Sequence, residues 1–247
     1  MPAEYDAIAE EYRQSKLLPF RLEVEQPTLL ALLGDIRGRR VLDLACGDGI
    51  YSRLVRRLGA AQVHGIDLSP AMVRLAEQAE HQEPLGCTYS VGDATCLSAD
   101  GGGGFDLVMG VYLLNYAQTA AELHGMARSI AAQLAPGGRF VGINDNPRNA
   151  IERYGPLPEY GFERQVTLPR AEGMRIHYKM TNADGSTVEF DNYWLAPATY
   201  EQVFAVVGLP QFTWVDCIAR PSSDGTIAPL WQAFLRDCPI TGMQATV

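Results

Sequence analysis

Through the first 145 residues, short extended runs alternate with stretches of helical apolar periodicity. The extended runs are Arg40–Leu44, Val63–Asp67, Cys87–Val91, Phe105–Val111 and Gly138–Asn144. Helical periodicity covers Ile50–Leu58, Pro70–Glu80 and Thr119–Leu134, and two further helices read near Glu4–Ser15 and Val24–Leu33. A helix between successive strands carries the chain back across the sheet, so those strands lie parallel, joined by right-handed crossovers. The expected architecture is therefore doubly wound α/β with a mostly parallel sheet. APGG at 135–138 ends the last of these helices, and GGGG at 101–104 reads as a flexible loop before a strand.

The pattern changes after Asn144. Residues 145–161 are rich in Asn, Pro, Gly and Tyr. Extended segments follow at Glu163–Leu168, Met174–Thr181 and Thr187–Leu195, and NADGST (182–187) is a strong turn between the last two. These predict a small antiparallel insertion. Thr199–Val207 then reads as a helix capped near Thr199, Phe212–Cys217 as a strand, Ile227–Arg236 as a helix and Ile240–Thr246 as a final strand.

Charge and composition exclude several classes. With a net charge of −9 and no dense basic cluster beyond RGRR (37–40) and RLVRR (53–57), nucleic acid is a poor partner. No apolar run is long enough to span a membrane, and the acidic, amphipathic first residues do not resemble a signal peptide. The cysteines (46, 87, 96, 217, 238) are odd in number and lack CxxC spacing, and His64, His81, His124 and His177 are scattered, so no metal site is expected. A reduced cytoplasmic protein is expected, as monomer or homodimer.

VLDLACGDG (41–49) takes the place of a phosphate loop at the end of the first strand, where open α/β sheets bind ligands. It lacks the third glycine of a dinucleotide loop and carries Asp43 and Asp48. Carboxylates there would repel a pyrophosphate but favour a nucleoside with cationic groups. Ala45, Gly47 and Gly49 leave room for close approach. Asp67, ending the second strand about 20 positions on, is placed for ribose hydroxyls, and Asp93 in VGDAT ends the third strand as an acceptor for an amino group. Any one of these carboxylates could be a local cap; their order along successive strand ends argues for a site.

VLDLACGDG, GIDLSPAMVRLA, VGDA, FDLVMGVYLL and LAPGGRFV resemble, in order, the motifs of class I S-adenosylmethionine-dependent methyltransferases. The resemblance implies a seven-stranded sheet with an antiparallel last strand and S-adenosyl-L-methionine as cofactor with S-adenosyl-L-homocysteine as product; with no acidic metal pair in the sequence, no metal cofactor is expected. It implies that Asp43, Ala45 and Gly47 hold the methionine part, Asp67 the ribose, Asp93 and Ala94 the adenine edge, and that Leu68 and Met72 flank the base, with Gly110 and Val111 beside it. YDAIAEEYR resembles the lid of small-molecule members, with Tyr5, Tyr12 and Arg13 covering the cofactor; a plain surface helix is the alternative. The chain then divides into helices and lid (1–35), cofactor-binding core (36–145), substrate-side insertion (146–197) and sheet completion (198–247), within one domain.

A small-molecule acceptor is expected on the insertion side. Tyr112 and Asn144 follow the fourth and fifth strands and are the candidate catalytic residues. Tyr116, Arg148, Tyr178, Asn192, Tyr193 and Trp194 add the mixture of aromatic faces and hydrogen-bonding edges that suits a flat heteroaromatic. LPFRLEVEQPTLLALLGD, GVYLLNYA, VEFDNYWL and WQAFLRDCPITGM resemble azapteridine N-methyltransferases of the toxoflavin type. O- or C-methylation of another metabolite, a non-catalytic cofactor-binding module, and an RNA or protein methyltransferase are the competing readings. His177 is the histidine of the insertion and a candidate base for a phenol.

Overall fold

A computed structural model describes residues 2–97 and 103–247, with side chains from Asp6 onward. Helix α1 (Pro2–Ser15) leads into a π-helical turn (Arg21–Glu25) and α2 (Gln26–Leu33). The core alternates β1 (Arg40–Leu44), α3 (Ile50–Arg57), β2 (Gln62–Asp67), α4 (Pro70–Gln82), β3 (Cys87–Val91), β4 (Phe105–Val111), α5 (Ala120–Gln133) and β5 (Leu134–Asp145). The rest comprises β6 (Phe162–Val166), β7 (Met174–Thr181), β8 (Thr187–Trp194), α6 (Pro197–Val206), β9 (Gln211–Val215), α7 (Pro229–Arg236) and β10 (Ile240–Thr246).

The large sheet has seven strands in the order β3-β2-β1-β4-β5-β10-β9. The first five are parallel neighbours, and β10 runs antiparallel to both β5 and β9. The strand order reverses between β1 and β4, which opens the ligand crevice at their carboxyl ends. Strands β6, β7 and β8 form a separate antiparallel sheet, with NADGST turning between β7 and β8.

Period-two alternation divides the sheet's apolar residues between two cores. Val41, Leu107, Met109, Val141 and Ile143 join one core with Tyr12, Val24, Leu29 and Val55 from the preceding helices and Phe162, Tyr178 and Phe190 from the small sheet. Leu42, Leu44, Val108, Phe140 and Met243 join the other with Leu123, Ile130, Tyr200 and Phe204. The small sheet thus shares a core with α1 and α2; Tyr12 meets Phe190 edge-on, 5.5 Å between centroids.

Several boundaries differ from the sequence expectations. The helix expected at Val24–Leu33 begins as a π turn, since the chain turns at Arg21 to bury that guanidinium against Glu25, at 2.9 Å. APGG does not follow the helix as a free loop. Helix α5 ends at Gln133 and β5 starts at Leu134, with APGG in a register irregularity opposite Phe105–Leu107. Thr199 caps nothing: Pro197, with its fixed φ and no N–H, opens α6, and the Thr199 hydroxyl donates to Glu172 at 2.7 Å. Pro229 likewise opens α7 two residues later than expected. GGGG at 101–104 lies partly outside the described residues, as does the side chain of Tyr5.

Candidate functional site

A cavity of about 720 Å³ opens at the carboxyl ends of β1, β2, β3 and β4. Two non-glycine residues with positive φ border it: Ala45 (φ 59°) leaving β1 and Tyr112 (φ 62°) leaving β4. A left-handed backbone costs an L-residue free energy and concentrates at functional sites. Here both cases flank the reversal of strand order.

Asp67 is fixed by two backbone donors, Gly47 N–H to one oxygen (2.8 Å) and Ser69 N–H to the other (2.9 Å). Each oxygen keeps a lone pair for a ligand hydroxyl. Asp93 receives the Thr95 amide and hydroxyl on Oδ1 (2.8 and 2.7 Å), leaving Oδ2 to accept a further bond. Leu68, Met72, Ala94 and Val111 complete this end of the cavity. Ser69 caps α4 through Met72 N–H (3.2 Å), and Asp6 of α1 accepts from the Ser69 hydroxyl (2.6 Å), tying α1 to the rim.

Asp43 stands behind the wall, 2% exposed, and accepts from the Ser52 hydroxyl at 2.6 Å. Burial pushes its carboxyl up to about 7, against the Ser52 bond and the nearby Lys16 charge. Burial also raises Asp48 and Asp67, with Lys16 opposing in both. Asp48 Oδ1 is buried with no protein partner. Three crowded carboxylates, one carrying an orphaned acceptor, suit an ammonium or sulfonium, so the residues present fit the methionine part of the expected cofactor.

Lys16 is one of the residues the sequence reading missed. It lies over the Tyr12 ring at 4.8 Å and lines the cavity. Arg13 does not line it: Arg13 is exposed and bonded to Glu10 at 3.1 Å. Lys16 lies in the turn just past the end of α1, where its N–H donates to Arg13 O at 3.1 Å and its side chain packs on the inward-facing Tyr12, whereas Arg13 is turned to solvent. With two lysines in the whole chain, the buried one carried a signal.

Of the expected acceptor residues, Tyr112, Tyr116 and Tyr193 line the cavity. Tyr112 presents its ring there, while its hydroxyl donates to the fully buried Glu25 at 2.6 Å; Tyr51 donates to the same carboxylate. Burial, then the Glu25 charge, holds the Tyr112 phenol protonated. Asn144 does not reach the cavity. Its Oδ1 accepts from Asn115 N–H (3.0 Å) and its Nδ2 donates to Tyr200 (3.3 Å), bracing the turn after β4. Arg148 is drawn outward to Asp216 (2.9 Å) and Thr241 (3.1 Å). Trp194 donates to Pro147 O at 3.0 Å, also off the wall. Tyr178 and Asn192 both donate to Asp145 (2.7 and 2.8 Å) in a small interior space. Gly110 lies inside β4, one residue short of the wall. His177 faces Asp191 in register, at 2.7 Å, and Asp191 rather than His177 borders the cavity. Among the described residues, no three His, Cys, Asp or Glu side chains could hold a metal ion, and no helix is long and apolar enough to cross a membrane.

The fold is that of the S-adenosylmethionine-dependent methyltransferases, and residues 41–138 match a family model described as a methyltransferase domain. Among solved structures, the CcbJ methyltransferase of Streptomyces caelestis superposes with a TM-score of 0.67 at 17% identity, covering 99% of this chain and 96% of that one. An S-adenosylmethionine-dependent methyltransferase from Mesorhizobium loti gives 0.61 at 23% identity, covering 90% and 96%. The ubiquinone biosynthesis O-methyltransferase of Xanthomonas euvesicatoria pv. vesicatoria is 34% identical over 124 residues, 50% of this chain and 48% of that protein. The chain thus spans about half the length of the curated relatives it matches.

Proposed function

We propose that the chain transfers a methyl group from S-adenosylmethionine to a small heteroaromatic acceptor, with N-methylation of an azapteridine as the specific reading. The observation that carries it is one continuous cavity with two chemically distinct ends. Its carboxylate end, at Asp67 and Asp93 with Asp48 and Asp43 behind, suits a cationic nucleoside. Its other end, at Tyr112, Leu113, Tyr116 and Tyr193, suits a flat apolar ring. When bound, the cofactor supplies an electrophilic methyl and its own leaving group, so the protein need only bind, orient and exclude water.

In this reading Asp67 accepts the ribose hydroxyls, Asp93 the adenine amino group, and Asp48 the ammonium, while Lys16 meets the carboxylate. Tyr112 acts as a wall against which the acceptor ring stacks. A heteroaromatic nitrogen of low basicity needs little help losing its proton, so this reading asks for no dedicated protein base. A second reading, O-methylation, is favoured by Asp191, a carboxylate on the wall backed by His177. Calorimetric titration with S-adenosylhomocysteine, then with a desmethyl azapteridine, tests the proposal. Sequential binding of both is expected. Binding of the first alone removes the azapteridine, and binding of neither removes methyl transfer.

A further inference from the structure

Of the residues that border the large cavity, Asp191 and Tyr193 come from the small sheet. Two apart on β8, they share the face opposite to the buried Phe190 and Asn192. Strand β8 packs against the turn Leu114–Tyr116 that follows β4. Asp191 therefore enters the end of the cavity where Tyr112, Tyr116 and Tyr193 gather. Among the described residues, the cavity's other charged groups stand elsewhere. Lys16 acts on Asp43, Asp48 and Asp67. Glu122 and Arg128 lie three residues to either side of Gly125, where an added Cβ would meet Thr95 O at 2.8 Å, beside Asp93. The tyrosine end thus carries one carboxylate.

Two residues of β7 hold that carboxylate in place. His177 Nδ1 donates to Oδ1 at 2.7 Å and Arg175 Nη1 donates to Oδ2 at 3.2 Å. The other imidazole nitrogen lies 3.6 Å from Glu189. Exposed ion pairs of this kind add little to a fold, so stability alone gives no reason to set one on a cavity wall. The Asp191 side chain is 24% exposed, and each oxygen, having accepted one bond, keeps a lone pair. Arg175 already offsets the charge, so a full cation gains little by entering. Two parallel N–H donors on a neutral ring match the two oxygens in the fork arrangement that carboxylates favour. A ring carbonyl in the same place would be repelled.

We propose that Asp191 selects the acceptor by taking the amidine-type edge of a planar heterocycle. A ring N–H donates to one carboxylate oxygen, and the amino group on the neighbouring carbon donates to the other. The methylated atom then lies on a different edge of the ring, and Asp191 binds the acceptor rather than deprotonating it. The inference rests on the methyl-transfer reading and adds to it the chemical class of the acceptor, an amino-substituted heteroaromatic.

The test is titration of the protein, saturated with S-adenosylhomocysteine, with pterin and with lumazine. Pterin presents an amino group beside a ring N–H; lumazine has a carbonyl where pterin has the amino group. Pterin should bind at least about tenfold more tightly, because lumazine sets that carbonyl against the carboxylate. Asp191→Asn keeps the volume and replaces one acceptor by a donor, which suits lumazine, and should bring the two ligands within about threefold. A carboxylate that served only as a surface partner of Arg175 would leave their ratio unchanged in the variant, and that result overturns the proposal. Equal binding by the parent protein, tighter lumazine binding or no pterin binding overturns it as well, and this comparison stands without the variant. S-adenosylhomocysteine titration of the variant reports whether its fold persists. Failure of the parent protein to bind S-adenosylhomocysteine is a different result and overturns the methyl-transfer reading itself.

Discussion

Asp43 is a carboxyl that is half protonated near neutrality, set one layer behind the cavity. Its raised value means that the folded protein favours the protonated form. That contribution to stability is full below the ordinary carboxylate range and is lost as pH rises through about 7. A sulfonium nearby would favour the ionised form instead. The preference for S-adenosylmethionine over the uncharged thioether product should therefore grow between pH 6 and 8, with proton release on binding below about 7; calorimetry in two buffers of different ionisation enthalpy measures both. A pH-independent preference would uncouple Asp43 from the cofactor. Asp67→Ala should weaken binding of either form by about 1–3 kcal/mol, read from the same titrations. Tyr112→Ala should impair methyl transfer more than cofactor affinity, and equal losses would move the ring out of the acceptor site. The placement of Asp67 and Asp93 on the cavity wall was legible because carboxylates ending successive strands form a pattern along the chain. Lys16, Glu25 and Asp191 were not, since each is a lone charge whose partners come from other elements. Asn144 was misplaced for the same reason: its position after a strand was readable, but its bonds to Asn115 and Tyr200 were not.

Helix α1 is held to the rim of the cavity by a short chain of contacts. Asp6 accepts from the Ser69 hydroxyl and from Ala71 N–H (3.0 Å), and these bonds, Ser69 first, lower its pKa. That anchorage is present above the ordinary carboxylate range and fades on acidification. Asp6→Ala should make α1 more susceptible to limited proteolysis, with S-adenosylhomocysteine restoring protection if α1 closes over the cofactor; no change in cleavage would make α1 a passive surface helix. Ser69→Ala also removes the cap of α4 and should destabilise the fold by about 0.5–2 kcal/mol, measured by chemical denaturation. The alternation of elements was readable throughout the core because each strand and helix declares its period locally. The errors fell at element boundaries: Pro197 and Pro229 rather than the nearby polar residues open α6 and α7, and β5 takes up APGG directly after α5.

At the scale of the molecule, two cores meet across one sheet, and the cavity sits where both the β1 and β4 exits and α1 converge. A ligand that binds only this arrangement should raise the melting temperature, by the equivalent of about 2.7 kcal/mol at one hundred times its dissociation constant; the shift on adding S-adenosylhomocysteine is the quickest check. What the sequence could not display was the placement of β10. Its period announced a strand, but not that it would slot between β5 and β9. That slot bears on how the protein is born. On the ribosome, the carboxylates that line the cavity emerge well before Ile240–Thr246, yet the edge of β5 that pairs with β10 stays bare until those residues arrive. The nascent chain therefore carries an unguarded, apolar strand beside the cavity residues, the condition under which a chain pairs with its neighbours on a polysome. Early occupation by the cofactor cannot cover that edge; only β10 can.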